Sequence, residues 1–278
     1  MTTVRIAAVG DLHLGVDDAG SFRPCLDDLG DVAALLLAGD LTRRGTLAEA
    51  QVVAGEVCDL DVPVVAVLGN HDVHSDRGDD VTAILEAAGV TVLDGTVATI
   101  PTAAGIVAVA GAKGFGVGFP GASASCFGEP VMKELVRVAE DEAARLDRAL
   151  HHAPLDAVAR VALTHYAPTA GTLRGEPPEI HAFLGSYLLG EVIDAHHVDL
   201  AVHGHAHRGT ERATTPGGVP VRNVAWPVTR RPFVIYPIEV RAPGGVGAGR
   251  PVASGHAGAG SVHAVDACTD PARRIVVR

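Results

Sequence analysis

The sequence predicts a layered α/β fold, and three observations carry that prediction. Short aliphatic runs recur along the chain, each ending in a turn that holds Gly or His. Stretches of helical spacing separate the early runs. The 278 residues are 47% hydrophobic and 20% charged, enough for a sizeable core, and with aromatics at 4% that core is aliphatic.

The elements follow in chain order. Residues 4–9 lead into Gly10-Asp11-Leu12-His13, residues 32–38 into Gly39-Asp40, and residues 62–68 into Gly69-Asn70-His71-Asp72. Aliphatic runs of this length, bounded by turn residues, fit buried strands. Residues 46–59 and 81–88 have helical spacing and few breakers, and Gly89 is a stop signal after the second. Residues 97–100 and 106–110 pattern as a hairpin. Residues 111–130 are rich in Gly, Ser and Phe, and 131–151 form an amphipathic helix. A connection that long inside a domain is a functional loop or disordered; as a substrate-side lid it would place Lys113 on phosphate and Phe115 or Phe119 on an organic group. Residues 161–163 then lead into Thr164-His165, and 200–202 into His203-Gly204-His205-Ala206-His207. Residues 219–224 and 233–240 read as a second hairpin. The expected organisation is one domain over 1–240, with a loop and helix insertion at about 111–151. A Pro-, Gly-, Ala- and His-rich tail over 241–278 is expected to be flexible.

Bulk properties narrow the partners. A formal net charge of −11 makes the chain a poor non-specific binder of nucleic acid, because that affinity comes from Lys and Arg neutralising phosphates. Cys25, Cys58, Cys126 and Cys268 lie far apart, which argues for incidental thiols over a disulfide framework. No signal-peptide pattern opens the sequence, and no apolar run reaches the roughly 18 residues of a membrane span. The expectation is a soluble, cytoplasmic chain; oligomeric state is not readable.

The polar turns carry the chemistry. Two divalent ions sharing a site need six or more donors, one of them bridging, and Asp, His and an Asn carbonyl suit Mn, Fe, Ni or Zn. The five blocks Gly10-Asp11-Leu12-His13, Gly39-Asp40, Gly69-Asn70-His71-Asp72, Thr164-His165 and Gly204-His205-Ala206-His207 all stand at strand ends, where ligands of α/β folds collect. Taken singly, each is ordinary turn chemistry. Taken in this order, they resemble the calcineurin-like metallophosphoesterases.

That resemblance implies two packed mixed β-sheets flanked by helices. It implies that Asp11, His13 and His207 bind one ion, that Asn70, His165 and His205 bind a second, and that Asp40 bridges them. It also implies a nucleophilic hydroxide between the ions, about 3.5–4 Å apart, with His71 protonating the leaving oxygen. The phosphoprotein-phosphatase branch has a further Asp, orienting that His, three residues after the bridging one. Arg43 stands there in this chain, so His71 needs another orienting group, with Asp72 and His74 as candidates. Arg44 matches the branch's phosphate-contacting Arg.

Other histidines have plainer readings: His203 as a buried support for its neighbours, His151-His152 and His196-His197 at helix ends, and His181, His256 and His263 in solvent. The function expected is hydrolysis of a small phosphodiester or phosphomonoester. The alternatives are a nuclease for single-stranded nucleic acid and a non-catalytic scaffold of the same fold.

Overall fold

A computed structural model describes residues 2–240 of the chain. The tail expected over 241–278, with His256, His263 and Cys268, lies outside the described residues.

Strand β1 (Thr3–Val9) sends Val4, Ile6 and Ala8 to one face and Ala7 and Val9 to the other, and all five are buried. Strands β2 (Ala34–Ala38) and β3 (Val64–Val67) continue the pattern in parallel, and β4 (Val90–Val92) adds a parallel edge that buries Val90 and exposes Thr91. Strands buried on both faces belong between layers. The second sheet holds the hairpin β5 (Thr96–Thr102) and β6 (Gly105–Gly111), then β9 (Ala159–Leu163), β10 (Leu200–His203), β11 (Arg212–Thr214) and β12 (Pro220–Asn223). Its order is β11-β12-β10-β9-β6-β5, while β13 (Val234–Glu239) closes the first as β13-β1-β2-β3-β4. A two-stranded ribbon, β7 (Gly118–Phe119) with β8 (Ala122–Ser123), lies within the segment read as a loop.

The sheets pack face to face through Ile6, Leu36 and Val65 against Val109, Val161 and Val202. Helices cover the outer faces. The one-turn α1 (Arg23–Leu26), with α2 (Leu47–Val57) and α3 (Gly78–Ala87), buries Leu26, Val53 and Leu85 over Leu35 and Leu37. Helix α4 (Pro130–His152) and α6 (Tyr187–Ala195) bury Leu146, Leu150 and Ile193 over Ala162 and Ala201. Each such side chain contributes roughly 1.5–3 kcal/mol on burial. The helix starts are local: Thr46 and Glu49 form a capping box on α2, and Pro130 opens α4. Short helices α5 (His181–Leu184) and α7 (Trp226–Thr229) sit in connections.

The expectation of two packed mixed sheets flanked by helices is met. The second expected hairpin is corrected. Strands β12 and β13 do not pair; α7 carries the chain from one sheet to the other, where β13 runs antiparallel to β1. Both strands have the aliphatic pattern, but that pattern cannot tell which neighbour they pair with. The hairpin partner of β12 is β11, too short and charged to read as a strand. Among the described cysteines, Cys25 and Cys58 are free.

Candidate metal centre

The loops after β1, β2, β3, β9 and β10 meet at one edge of the paired sheets, where the two carboxyl-end edges adjoin. Parallel strands point the same way, so turns distant in sequence converge. The first two loops run side by side: the Asp11 amide donates to Gly39 (2.9 Å), His13 to Asp40 (3.0 Å) and Arg43 to Leu14 (3.1 Å). Four site residues, Asp11, His13, Asp40 and His205, hold positive φ, of seven such non-glycine residues among those described. Each costs on the order of 1–3 kcal/mol, and such strain concentrates at functional sites. Glycine permits the close approach: a Cβ at Gly69 would overlap Asp40 Oδ1, and one at Gly204 would overlap Asp11 Oδ2.

Three donor clusters result. Asp11, His13 and His207 form one, His13, Asp40 and His71 a second, and Asp40, His165 and His205 a third. The Asp40 carboxylate faces two ways: Oδ2 lies 3.8 Å from His13 Nε2 and Oδ1 lies 3.4 Å from His165 Nε2. His207 Nε2 is 2.8 Å from Asp11 Oδ1 and 3.4 Å from His13 Nε2. His165 Nε2 is 2.9 Å from Asn70 Oδ1 and 3.1 Å from His205 Nδ1.

Backbone carbonyls fix the imidazole tautomers. A carbonyl only accepts, so His165 Nδ1–H donates to Ala38 O (2.9 Å) and His205 Nε2–H donates to Phe183 O (3.1 Å). Burial holds the His165 imidazole well below its usual range and pushes His205 down to about 3, so both rings are neutral. The lone pair of His165 Nε2 therefore faces Asn70 Oδ1, Asp40 Oδ1 and His205 Nδ1, and the Asp40, His165 and His205 donor atoms lie within 4.8 Å of one another. A cation placed among these donors satisfies all of them at once. The donor set fits a divalent ion, and the carbonyls supply the outer support that metal-bound histidines use.

Around the donors, Asp72 is fully buried and clamps two loops, accepting from Leu41 N (3.2 Å), Thr42 N (2.8 Å), Thr42 Oγ1 (2.7 Å) and Gly69 N (2.8 Å). Burial pushes its carboxyl up to about 6. His71 is oriented by neither Asp72 nor His74: its Nδ1–H donates to the Arg43 carbonyl at 2.8 Å, leaving Nε2 3.9 Å from Asp40 Oδ2. The residue in place of the missing Asp thus does the orienting through its backbone. Its guanidinium turns away, to Asp17 (2.9 Å) and Asp18 (2.6 Å). His203 is buried between Gly204 O and Thr172 Oγ1, a supporting position.

The three residues expected at substrate are placed differently from one another. Arg44 is exposed, with its backbone engaged by Glu49 and Ser75. The Lys113 ammonium donates to Gly114 O, lies 3.9 Å from Glu142 and sits over the Phe115 and Tyr166 rings, so its charge is balanced inside the fold. Phe115 lines a cavity of about 380 Å³ that also touches Asn70 and His205. Sequence reading missed the Ala38, Arg43 and Phe183 carbonyls, which no side-chain motif can report. It also missed Tyr166, whose position beside His165 was the available signal.

Residues 4–209 match the family model described as calcineurin-like phosphoesterase. Among solved structures, the phosphopantetheinyl hydrolase PptH from Mycobacterium tuberculosis is similar with a TM-score of 0.59 and 17% identity, covering 81% of this chain and 90% of that one. GAP50, titled the anchor in the inner membrane complex of Plasmodium, gives 0.51 and 13%, covering 82% and 73%. The protein TT1561 of Thermus thermophilus gives 0.50 and 19%, covering 80% and 89%. No curated protein matches the chain in sequence.

Proposed function

From a chain that belongs to the calcineurin-like phosphoesterase family, we infer a metal-dependent hydrolase of small phosphodiesters or phosphomonoesters. The observation that carries this reading is the convergence of donor atoms from Asp40, Asn70, His165 and His205, with both imidazoles held by backbone carbonyls. Fold alone would not suffice, since similar folds include a protein titled a hydrolase and another titled an anchor.

In this reading Asp11, His13 and His207 hold one divalent ion, Asn70, His165 and His205 hold the other, and Asp40 joins them. Bound there, such ions polarise a phosphoryl oxygen and bring the pKa of bound water toward neutrality. Mn, Fe, Zn and Ni all suit the donors. The chain's own part is to fix the partners of the reaction. Neutral, carbonyl-locked imidazoles need no reorientation as charge develops. His71 has its Nδ1–H satisfied by Arg43 O. In the imidazolium form it can release the Nε2 proton to a leaving oxygen and relax to a tautomer already hydrogen-bonded.

The acidic balance of the chain favours a small ester over a polynucleotide. Purified protein supplied with Mn is expected to hydrolyse bis(4-nitrophenyl) phosphate or 4-nitrophenyl phosphate, and to stop on chelation. His71→Ala should keep its metal content and slow esters with poor leaving groups by on the order of 100-fold, while aryl esters change far less. Equal losses on both would remove the proton-donor role.

A further inference from the structure

The cavity beside the centre is built from unlike halves. Asn70 and His205 close it on the side of the donors. The remaining side chains are Phe115, Leu135, Tyr166, Ile180, Phe183 and Leu184. No Asp, Glu, Lys or Arg lines it. The neighbouring Lys113 is committed to Glu142 and Gly114 O. A second phosphate, a carboxylate or a sugar rich in hydroxyls would meet almost nothing there that replaces its water.

The same cavity opens onto apolar side chains that the fold leaves in water. Phe183 is 63% exposed and Ile180 37%, and both line it. Large apolar groups held in solvent around a pocket mark a place for an apolar ligand. Their position is fixed by the site itself: the Phe183 carbonyl accepts from His205 Nε2–H, so the residue that locks the ligand tautomer also sets its ring at the cavity. Gly116 lets the neighbouring loop press on this segment, since a Cβ there would come within 2.7 Å of Ala182 O and Phe183 C.

We propose that this cavity takes the organic arm of the phosphate ester and that the arm is uncharged and apolar, an alkyl chain or aryl ring. The proposal rests on the hydrolase reading, in which the phosphate would sit on ions held beside Asn70 and His205, and adds to it the class of alcohol or phenol that the ester carries.

Alkylphosphonates test it without turnover. In calorimetric titrations of the Mn-loaded protein, affinity should rise about fourfold for each methylene buried, giving at least about a thirtyfold gain from methyl- to hexylphosphonate. The charged arm of 3-phosphonopropionate should give no gain over methylphosphonate. In Phe183→Ser and in Leu135→Gln the hexyl-to-methyl ratio should collapse several-fold; Phe183→Ser removes an exposed ring and keeps the carbonyl, and Mn uptake by each variant reports its folding. Mn uptake with chain-length-independent affinity, or equal binding of hexylphosphonate and 3-phosphonopropionate, would overturn the apolar pocket alone. Failure to take up Mn would overturn the hydrolase reading and the placement of the phosphate with it.

Discussion

The two halves of the donor cluster share Asp40 and differ in how they are held. In one, His165 and His205 are locked by the carbonyls of Ala38 and Phe183, and burial keeps both imidazoles neutral. In the other, His207 pairs with Asp11 at 2.8 Å, and the contact draws the Asp11 carboxyl down and the His207 imidazole up, which favours a proton on His207. Burial raises the Asp11 carboxyl to about 6, and its hydrogen bond raises His207 above the usual histidine range. One half is therefore prepared for a cation before it arrives; the other must give up a proton first. The contrast teaches that a symmetrical-looking set of Asp and His residues can hold two ions of unequal tenacity.

The largest effect expected is on the shared residue. Asp40→Asn should lower the affinity of both halves by more than about 100-fold, beyond what loss of an outer support costs, with activity falling on the order of 1000-fold. Metal analysis with turnover of an aryl phosphodiester checks it, and full metal content with full activity would refute the bridging role. Next come the halves separately. His207→Ala should lose only the ion of its own half, by roughly 10–100-fold in affinity, and excess Mn should restore activity. His165→Ala should not be rescued at the same Mn concentration. Similar behaviour of the two variants would dissolve the contrast.

The smallest effect is a pH dependence. An ion enters the Asp11–His207 half only where His207 has given up its proton, so its affinity should fall as pH drops through the raised His207 range, and fall more steeply below about pH 6, where the Asp11 carboxyl takes a proton as well. The imidazoles of the locked half, His165 and His205, stay neutral through this range. Equilibrium dialysis followed by elemental analysis at pH 7.5 and pH 5 should show one half emptying first. Parallel loss from both would mean the carbonyl locks give no advantage.

Much of this was legible in the sequence. The donors announce themselves because each needs a polar side chain at a strand-end turn beside a glycine, and aliphatic runs mark the strands. Sheet membership was less legible: β12 and β13 have the right patterns, and only packing against β10 and β1 shows that they part. Least legible was the support. Arg43 looked like the loss of an orienting acid, and the structure shows its carbonyl on His71 Nδ1 instead. A peptide oxygen carries no residue-specific signature, so substitution at such a position changes the letter and can leave the contact in place.

The spread of the donors along the chain has a consequence for biosynthesis. Asp11 and His207, in direct contact, are 196 positions apart. During translation the first strand and its acidic turn emerge long before the last histidine is made. A nascent chain short of β10 can pair its early strands but lacks His205 and His207, and so lacks one proposed donor for each ion. In the proposed reading, an ion held by Asp11, His13 and His207 would tie the two sheets together, because its donors come from loops of both.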